Sequence, residues 1–148
     1  QDLKSLGGAR KLFHYLDEAG KPHPVSPAEI NRYIKEATSP KFSAKDFRTW
    51  GGTLLAAVRL AELGKPEEEK AVKTNIVRAV KEVAEQLGNT PTVCRGSYIH
   101  PDVIRQYESG LTIEDFRPKK ARRIRRIESD YDPEEKALLR MLELNGSK

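Results

Sequence analysis

A polar amide and a phenol lie nine residues apart in the segment from Leu87 to Pro101, which reads LGNTPTVCRGSYIHP. The amide belongs to Asn89 and the phenol to Tyr98. The pKa of a free phenol is near 10, so Tyr98 can act as a nucleophile only with cations or a proton acceptor close by. An amide can donate a hydrogen bond to a negative charge but cannot exchange a proton near neutral pH. Asn89 is therefore expected to position and stabilise a reacting group, and not to act as an acid.

Two cations suited to such a site stand upstream, in the segment KDFRTWG at 45–51. Arg48 carries a planar guanidinium that can hydrogen-bond two oxygens of one phosphate at once, where negative charge builds up during phosphoryl transfer. Lys45 lies three residues earlier, which places the two side chains on the same face of a helix. The residues whose types suit such chemistry are Tyr98, Arg48, Asn89 and Lys45.

Local signals around Tyr98 predict a helix end followed by a short new helix. Gly88 suits the left-handed residue that closes the preceding helix. Asn89 or Thr90 can cap the next helix, with Pro91 near its first position. That helix would carry Tyr98 about two and a half turns from the amide if it stays helical.

The remaining pattern predicts a mainly α fold, a bundle with no confident strand pair. Residues 1–25 are a lead-in, read as a short helix or extended segment followed by a loop. Residues 26–110 hold the catalytic helices, and 111–148 hold a basic segment and a last helix. Apolar spacing and caps predict helices over 27–37, 44–63, 66–87, 101–108 and 133–144. In four of these helices the residues expected to face the core are, in chain order, Ile30, Tyr33 and Ile34; Phe47, Leu54, Leu55, Val58 and Leu60; Val72, Ile76, Ala79, Val80, Val83 and Leu87; and Leu138, Leu139, Leu142 and Leu144.

The chain has 148 residues, of which 33% are charged and 37% hydrophobic. This length supports one core, so a single domain over 1–148 is expected. No apolar run approaches the roughly 18 residues of a membrane span, and the start at Gln1 is interpreted as a cut end. The one cysteine, Cys94, excludes an intramolecular disulfide, fits a reducing cytosol and is expected to be buried. The histidines have no zinc-ligand spacing with it, so no metal site is predicted.

Both segments together resemble the active-site motifs of the tyrosine recombinase and type IB DNA topoisomerase superfamily. In that superfamily Leu-Gly-His is followed, nine residues after the histidine, by a tyrosine nucleophile, and here Asn89 and Tyr98 have this spacing. The segment 45–51 resembles the topoisomerase motif that holds a catalytic arginine. The resemblance therefore implies catalytic roles for Tyr98, Arg48, Asn89 and Lys45. The resemblance is to bacterial, poxvirus-like type IB topoisomerases and extends over nearly the whole chain. It implies the DNA breaking-rejoining catalytic fold, without that fold's upstream β-hairpin.

The resemblance implies a mechanism and a set of partners. Tyr98 would attack a phosphodiester of double-stranded DNA and form a 3′-phosphotyrosyl link that conserves the bond energy. Supercoils would then be relaxed and the strand rejoined without ATP, metal or any other cofactor. A monomer in the cytoplasm, associated with the nucleoid, is expected.

The family's catalytic set also includes an earlier arginine and a lysine on a β-hairpin that protonates the leaving 5′-oxygen. Both lie upstream of the matched segment, and the roles are not carried onto Lys4, Arg10 or Lys11. The chain is therefore interpreted as a C-terminal fragment of the catalytic domain whose further partner is the missing upstream part of the same enzyme. By itself it is expected to bind DNA weakly and to cleave it poorly or not at all.

Positive charge is concentrated after residue 116, although the formal net charge is only +5. Such density favours contact with phosphates, a sequence-independent and salt-sensitive interaction, over an ordinary solvated surface. The predicted DNA-binding residues are Arg117, Lys119, Lys120, Arg122, Arg123, Arg125 and Arg126. His100 could also touch phosphate, but it is better interpreted as the cap of the helix that begins at Pro101.

Two alternatives remain open. A tyrosine recombinase is disfavoured by Lys45, where recombinases usually have histidine in a His-x-x-Arg pattern, and by Asn89. A non-catalytic helical DNA-binding module would leave Tyr98 with a purely structural role. The glycine pair Gly51-Gly52 is unusual within a helix, where each glycine costs roughly 1 kcal/mol relative to alanine. Close approach by another backbone or by DNA would explain the pair.

Overall fold

The computed structural model describes residues 13–117 and 132–144. Its helices and strands are β1 His14–Leu16, β2 Pro22–Pro24, α1 Pro27–Ala37, α2 Ala44–Glu62, α3 Glu69–Leu87, α4 Pro91–Ser97, α5 Pro101–Glu108, a 3₁₀ helix Ile113–Phe116 and α6 Pro133–Glu143. The predicted mainly α class is confirmed. The chain divides into two compact units, Gln1–Asp46 and Phe47–Lys148, and the boundary falls within α2. The single domain inferred from length stays a prediction.

The first unit contains a strand pair that the sequence did not predict. β1 and β2 are antiparallel, with Tyr15 opposite His23. Asp17 closes the turn between them, because one of its carboxylate oxygens accepts the backbone N–H groups of Ala19 at 3.0 Å and Lys21 at 2.8 Å. Of the two forms expected for this lead-in, the extended one is found, but the expectation that the chain has no strand pair was wrong. Strands of three residues are too short for apolar alternation to reveal them.

The helix α1 begins and ends at the predicted residues. Its capping box is complete: Ser26 accepts the N–H of Glu29, and the Glu29 carboxylate accepts the N–H of Ser26 at 2.8 Å. These bonds hold the pKa of Glu29 below its usual value. Ile30 and Tyr33, expected in the core, are instead 43% and 70% exposed. Helical spacing defines an apolar face but does not determine what packs against it.

The second unit is built around one apolar core to which every helix of the unit contributes. The α3 stripe predicted from the sequence is confirmed, with Ile76, Ala79, Val80 and Val83 buried. The last helix contributes Ala137, Leu138 and Met141, each at most 1% exposed. Leu144, expected to face inward, is 62% exposed. None of the helices in the described ranges is long and apolar enough to cross a membrane.

The helix α2 packs through small residues, and this differs from the apolar face that the sequence indicated. Its buried residues are Gly52, Thr53, Ala56, Ala57 and Leu60. Of the predicted apolar face, Leu60 is buried, whereas Phe47 and Leu55 are 59% and 37% exposed. Small side chains let two backbones approach closely, so the buried face follows residue size as well as hydrophobicity.

Candidate active site

Tyr98 lies directly after the short helix α4 and not within it. Its N–H donates to the carbonyl of Cys94 at 2.9 Å, and its φ and ψ of −129° and −4° end the helix. The predicted helix is confirmed, and Thr90, rather than Asn89, caps it by accepting the N–H of Val93 at 3.3 Å. The ring of Tyr98 packs against the core and is partly buried. Within the described residues its hydroxyl makes no hydrogen bond.

Arg48 lies beside Tyr98, as the motif spacing suggested. The guanidinium carbon of Arg48 is 4.9 Å from the centre of the Tyr98 ring, within the range of a cation–π contact. The Nη2 atom of Arg48 donates to the carbonyl oxygen of Leu87 at 2.8 Å. The two bonded residues are 39 positions apart in sequence, so only packing of α2 against the end of α3 brings them together.

Asn89 points to the same oxygen atom. Its Nδ2 donates to the Leu87 carbonyl at 3.1 Å, and its backbone N–H donates to Ala84 at 2.9 Å. Gly88 precedes it with a φ of +66°, the left-handed conformation predicted for the end of this helix. Two side-chain donors, a guanidinium and an amide, thus meet at one oxygen beside the Tyr98 ring. The structure brings together three of the four candidate catalytic residues: Arg48, Asn89 and Tyr98.

Lys45 lies in the first turn of α2, three residues before Arg48, and is exposed. It belongs to the first compact unit, whereas the other three candidates belong to the second. The neighbouring Asp46 lies in the first turn of α2, and its carboxylate accepts the N–H of Ser43, just before the helix, at 2.8 Å. Hydrogen bonds from the Ser43 hydroxyl and N–H hold the pKa of Asp46 below its usual value, and the charge of Lys45 lowers it further. A catalytic role for Lys45 stays a prediction.

Two expectations about nearby residues are confirmed. Cys94 is fully buried, and burial raises the pKa of its thiol despite the opposing charge of Arg48. His100 caps α5, because its Nδ1 accepts the N–H of Asp102 at 3.3 Å. This bond places the imidazole proton of the neutral form on Nε2.

The residues that sequence analysis did not assign to the site are Gly52 and Thr53, which touch the main chain of Tyr98. A Cβ atom on Gly52 would lie 2.6 Å from the Tyr98 carbonyl oxygen, closer than such atoms approach. Of the two explanations for the glycine pair, close approach by another backbone therefore holds for Gly52. A Cβ atom on Gly51 would meet nothing within 4 Å among the described residues.

Of the predicted DNA-binding residues, only Arg117 falls among the described ones. Its guanidinium pairs with Glu114 at 2.9 Å and with Glu134 at 2.8 Å, so two carboxylates offset its charge. Lys119, Lys120, Arg122, Arg123, Arg125 and Arg126 lie outside the described residues, and their role stays a prediction. No group of three or more His, Cys, Asp or Glu side chains in residues 13–117 and 132–144 is placed to hold a metal ion.

Comparisons with known proteins agree with this geometry. The model of the family described as "Eukaryotic DNA topoisomerase I, catalytic core" matches residues 7–126, which include all four candidate catalytic residues. A protein named DNA topoisomerase 1B, from Acanthamoeba polyphaga mimivirus, is 37% identical over 114 residues. That alignment covers 72% of this chain and 34% of the viral protein, so the chain spans about a third of that relative's length. The chain therefore belongs to the type IB DNA topoisomerases, as a part of their catalytic core.

Proposed function

We propose that this chain supplies the nucleophile and part of the anion-binding site of a type IB DNA topoisomerase, which cleaves one strand of double-stranded DNA and rejoins it. The observation that carries the proposal is the meeting of the Arg48 guanidinium and the Asn89 amide at one oxygen beside Tyr98. Two convergent donors suit an anionic oxygen better than the neutral carbonyl of Leu87. A phosphate oxygen bound by the Arg48 guanidinium would lie on the side of the site where the Tyr98 ring is found.

The proposed reaction is a transfer of one phosphodiester bond to the enzyme. The Tyr98 oxygen attacks phosphorus and loses its proton, and a 3′-phosphotyrosyl bond forms. The bond to the 5′ oxygen breaks with its electron pair, and that oxygen takes up a proton. Arg48 and Asn89 stabilise charge on the non-bridging oxygens, as fixed donors do most effectively. Religation reverses these steps and needs neither ATP nor a metal ion, because the new bond conserves the energy of the old one.

The proposed partner of the chain is the upstream part of the same enzyme. An acid is needed for the leaving 5′ oxygen, and Asn89 cannot supply one because an amide does not exchange a proton near neutral pH. The proposal assigns the acid and a further arginine to the upstream part. In agreement with this division, the chain spans 34% of the viral relative.

The test is a covalent adduct with a suicide-substrate DNA duplex, read on a denaturing gel. The chain is used alone and mixed with the upstream part. We expect an adduct in the mixture, its loss in Tyr98→Phe, and its retention in Tyr33→Phe, a matched control on an exposed tyrosine of α1.

Other outcomes would contradict parts of the proposal. An adduct with the chain alone would show that the upstream groups are dispensable. No adduct from a mixture that assembles and binds DNA would overturn the catalytic role, and would favour a non-catalytic DNA-binding module. Resolution of the adduct by strand exchange between two duplexes, without relaxation of plasmid DNA, would indicate a recombinase.

A further inference from the structure

The helix α2 contacts the main chain around Tyr98 through three residues on one of its faces, Thr49, Gly52 and Thr53. Thr49 Oγ1 donates to the carbonyl of Ser97 at 3.4 Å. Gly52 leaves no space between α2 and the Tyr98 carbonyl, since an added Cβ would be 2.6 Å from it. Thr53 is the third residue. Its hydroxyl accepts the N–H of His100 at 3.1 Å, a shorter hydrogen bond than the one from Thr49.

The Thr53 hydroxyl is buried, with the residue 2% exposed, and it both donates and accepts hydrogen bonds. A hydroxyl has one proton to donate and two lone pairs that accept. Thr53 Oγ1 lies 2.6 Å from the carbonyl of Thr49, which is therefore the main acceptor of its proton. The carbonyl of Tyr98, at 3.4 Å, accepts a second, weaker hydrogen bond from the same hydroxyl. A lone pair accepts the backbone N–H of His100 at 3.1 Å.

This last bond fixes the chain immediately after Tyr98. His100 is the first residue outside α5, so its N–H has no acceptor within that helix. The segment between the α4 and α5 helices is short, and Thr53 holds its far end. Tyr98 is thus anchored by the Cys94 carbonyl on one side and, two residues later, by Thr53 on the other.

The anchor belongs to the same helix that carries Arg48. Thr53 and Arg48 are five residues apart in α2, about 7.5 Å along a rigid helix. Any displacement of the Tyr98 main chain from Thr53 would therefore also displace the phenol from the guanidinium. We propose that Thr53 is a positioning residue that sets the phenol of Tyr98 relative to Arg48. This inference rests on the proposed function of Tyr98 and assigns Thr53 no contact with DNA.

The test compares Thr53→Val, which keeps the shape and removes the hydroxyl, with Thr53→Ser, which keeps the hydroxyl. Thr74→Val is the matched control, because the hydroxyl of Thr74, an exposed residue of α3, donates to the carbonyl four residues earlier at 2.9 Å. The rate of adduct formation at saturating suicide substrate, with the upstream part present, measures attack. A misplacement of about 1 Å can cost about 10²-fold in rate. We expect Thr53→Val to be slower by about tenfold or more, with unchanged DNA affinity and near-normal rates in Thr53→Ser and Thr74→Val.

A second measurement does not depend on catalysis. Amide hydrogen exchange of His100, in the chain without DNA, reports whether Thr53 holds this N–H. Exchange should accelerate in Thr53→Val and remain slow in Thr53→Ser, while the amides of α3 remain protected in both. A folded Thr53→Val variant with the wild-type rate of adduct formation would overturn the inference.

If the proposed function itself is wrong, the unsubstituted protein gives a different result from the one that would overturn the role of Thr53. If the unsubstituted protein forms no adduct, Tyr98 is not the nucleophile and Thr53 has no catalytic geometry to set. Loss of slow exchange throughout α3 in Thr53→Val would mean that the variant unfolds. In that case Thr53→Ser decides: a rate tenfold below wild type, despite a retained hydroxyl and fold, would contradict the assigned role.

Discussion

The guanidinium carbon of Arg48 lies 4.9 Å from the centre of the Tyr98 ring, while the same guanidinium donates to the carbonyl of Leu87. One cation therefore contacts both the face of the ring and the end of α3. A cation fixed beside this ring suits the stabilisation of negative charge that develops on a phosphate during attack. Because Leu87 also accepts from Asn89, removal of the arginine would leave this carbonyl with a partner.

Substitution of Arg48 should therefore affect cleavage far more than folding. We expect Arg48→Ala to slow adduct formation by about 10²–10³-fold, the cost of losing one fixed donor to a developing charge. Arg48→Lys should restore only part of the rate, since an ammonium cannot form a two-pronged hydrogen bond. Single-turnover cleavage and thermal melting measure the two effects. Arg78→Gln, at an exposed position of α3, is the control. A large fall in its cleavage rate would show that the loss of any positive charge slows cleavage, and not the loss of Arg48 in particular.

Asn89 should add no pH dependence to the cleavage rate, because its amide does not titrate near neutral pH. Asn89→His would introduce a group whose ordinary pKa is about 6.5. The pH–rate profile of this variant should gain an inflection that the unsubstituted protein lacks. Asn89→Ala should be slower at all pH values without a change in profile shape. An inflection near pH 6.5 that is already present before substitution, and is kept in Asn89→Ala, would assign the ionisation to another residue.

The contact between Trp50 and Glu135 should stabilise the second unit. Trp50 Nε1 donates to the Glu135 carboxylate at 2.8 Å, and this bond joins α2 to α6, a helix that lies beyond the matched residues 7–126. Trp50→Phe removes the donor and keeps an aromatic ring. We expect a loss of about 1 kcal/mol in the free energy of unfolding, measured with urea. A double-mutant cycle with Glu135→Gln gives the coupling energy, and a value of zero would show that the bond contributes nothing.

Acid should weaken the link between α2 and α3 made by Arg59 and Glu82. The hydrogen bond from Arg59, with a further one from Arg78, holds the pKa of Glu82 below its usual value. A carboxyl with a lowered folded-state pKa stabilises the fold above its unfolded value, near 4.3, and this contribution is lost as pH falls through the folded pKa. Glu82→Gln should therefore lower the Tm at pH 7, and this difference should shrink below about pH 4. A difference in Tm that stays constant from pH 7 to pH 2 would contradict the assignment.

The basic segment should determine the salt dependence of DNA binding. Each phosphate neutralised by a cation contributes about 0.9 to the slope of log affinity against log salt. Replacement of Lys119, Lys120, Arg122, Arg123, Arg125 and Arg126 by glutamine should lower the slope by up to about 5. Arg117→Gln should change it little, since Glu114 and Glu134 already pair with that guanidinium. An unchanged slope in the sixfold variant would place the phosphate contacts elsewhere.

The sequence by itself determined most of the helices and pointed to three candidate site residues that the structure brings together. Caps and apolar spacing are local signals, so α1 and α5 are found where they were predicted. The helix α3 ends as predicted at Leu87 but begins at Glu69, three residues after its predicted start. Tyr98 and Asn89 are close in sequence across one helix junction, and Arg48 stands in a motif with its own residue pattern. The three-residue strands β1 and β2 were missed because so short a pairing leaves no periodic pattern.

Only the tertiary structure decided how the site is held together. Nothing in the sequence indicates that Thr53 accepts the N–H of His100, 47 residues away, because threonine within a helix usually bonds to its own preceding turn. The glycine pair was recognisable, but only packing shows that Gly52 meets a backbone and that Gly51 does not. Caps, turns and the chemical groups of single side chains can be recognised from neighbouring residues in the sequence. The distance between Arg48 and Tyr98 depends on two helices meeting, and that depends on every side chain buried between them.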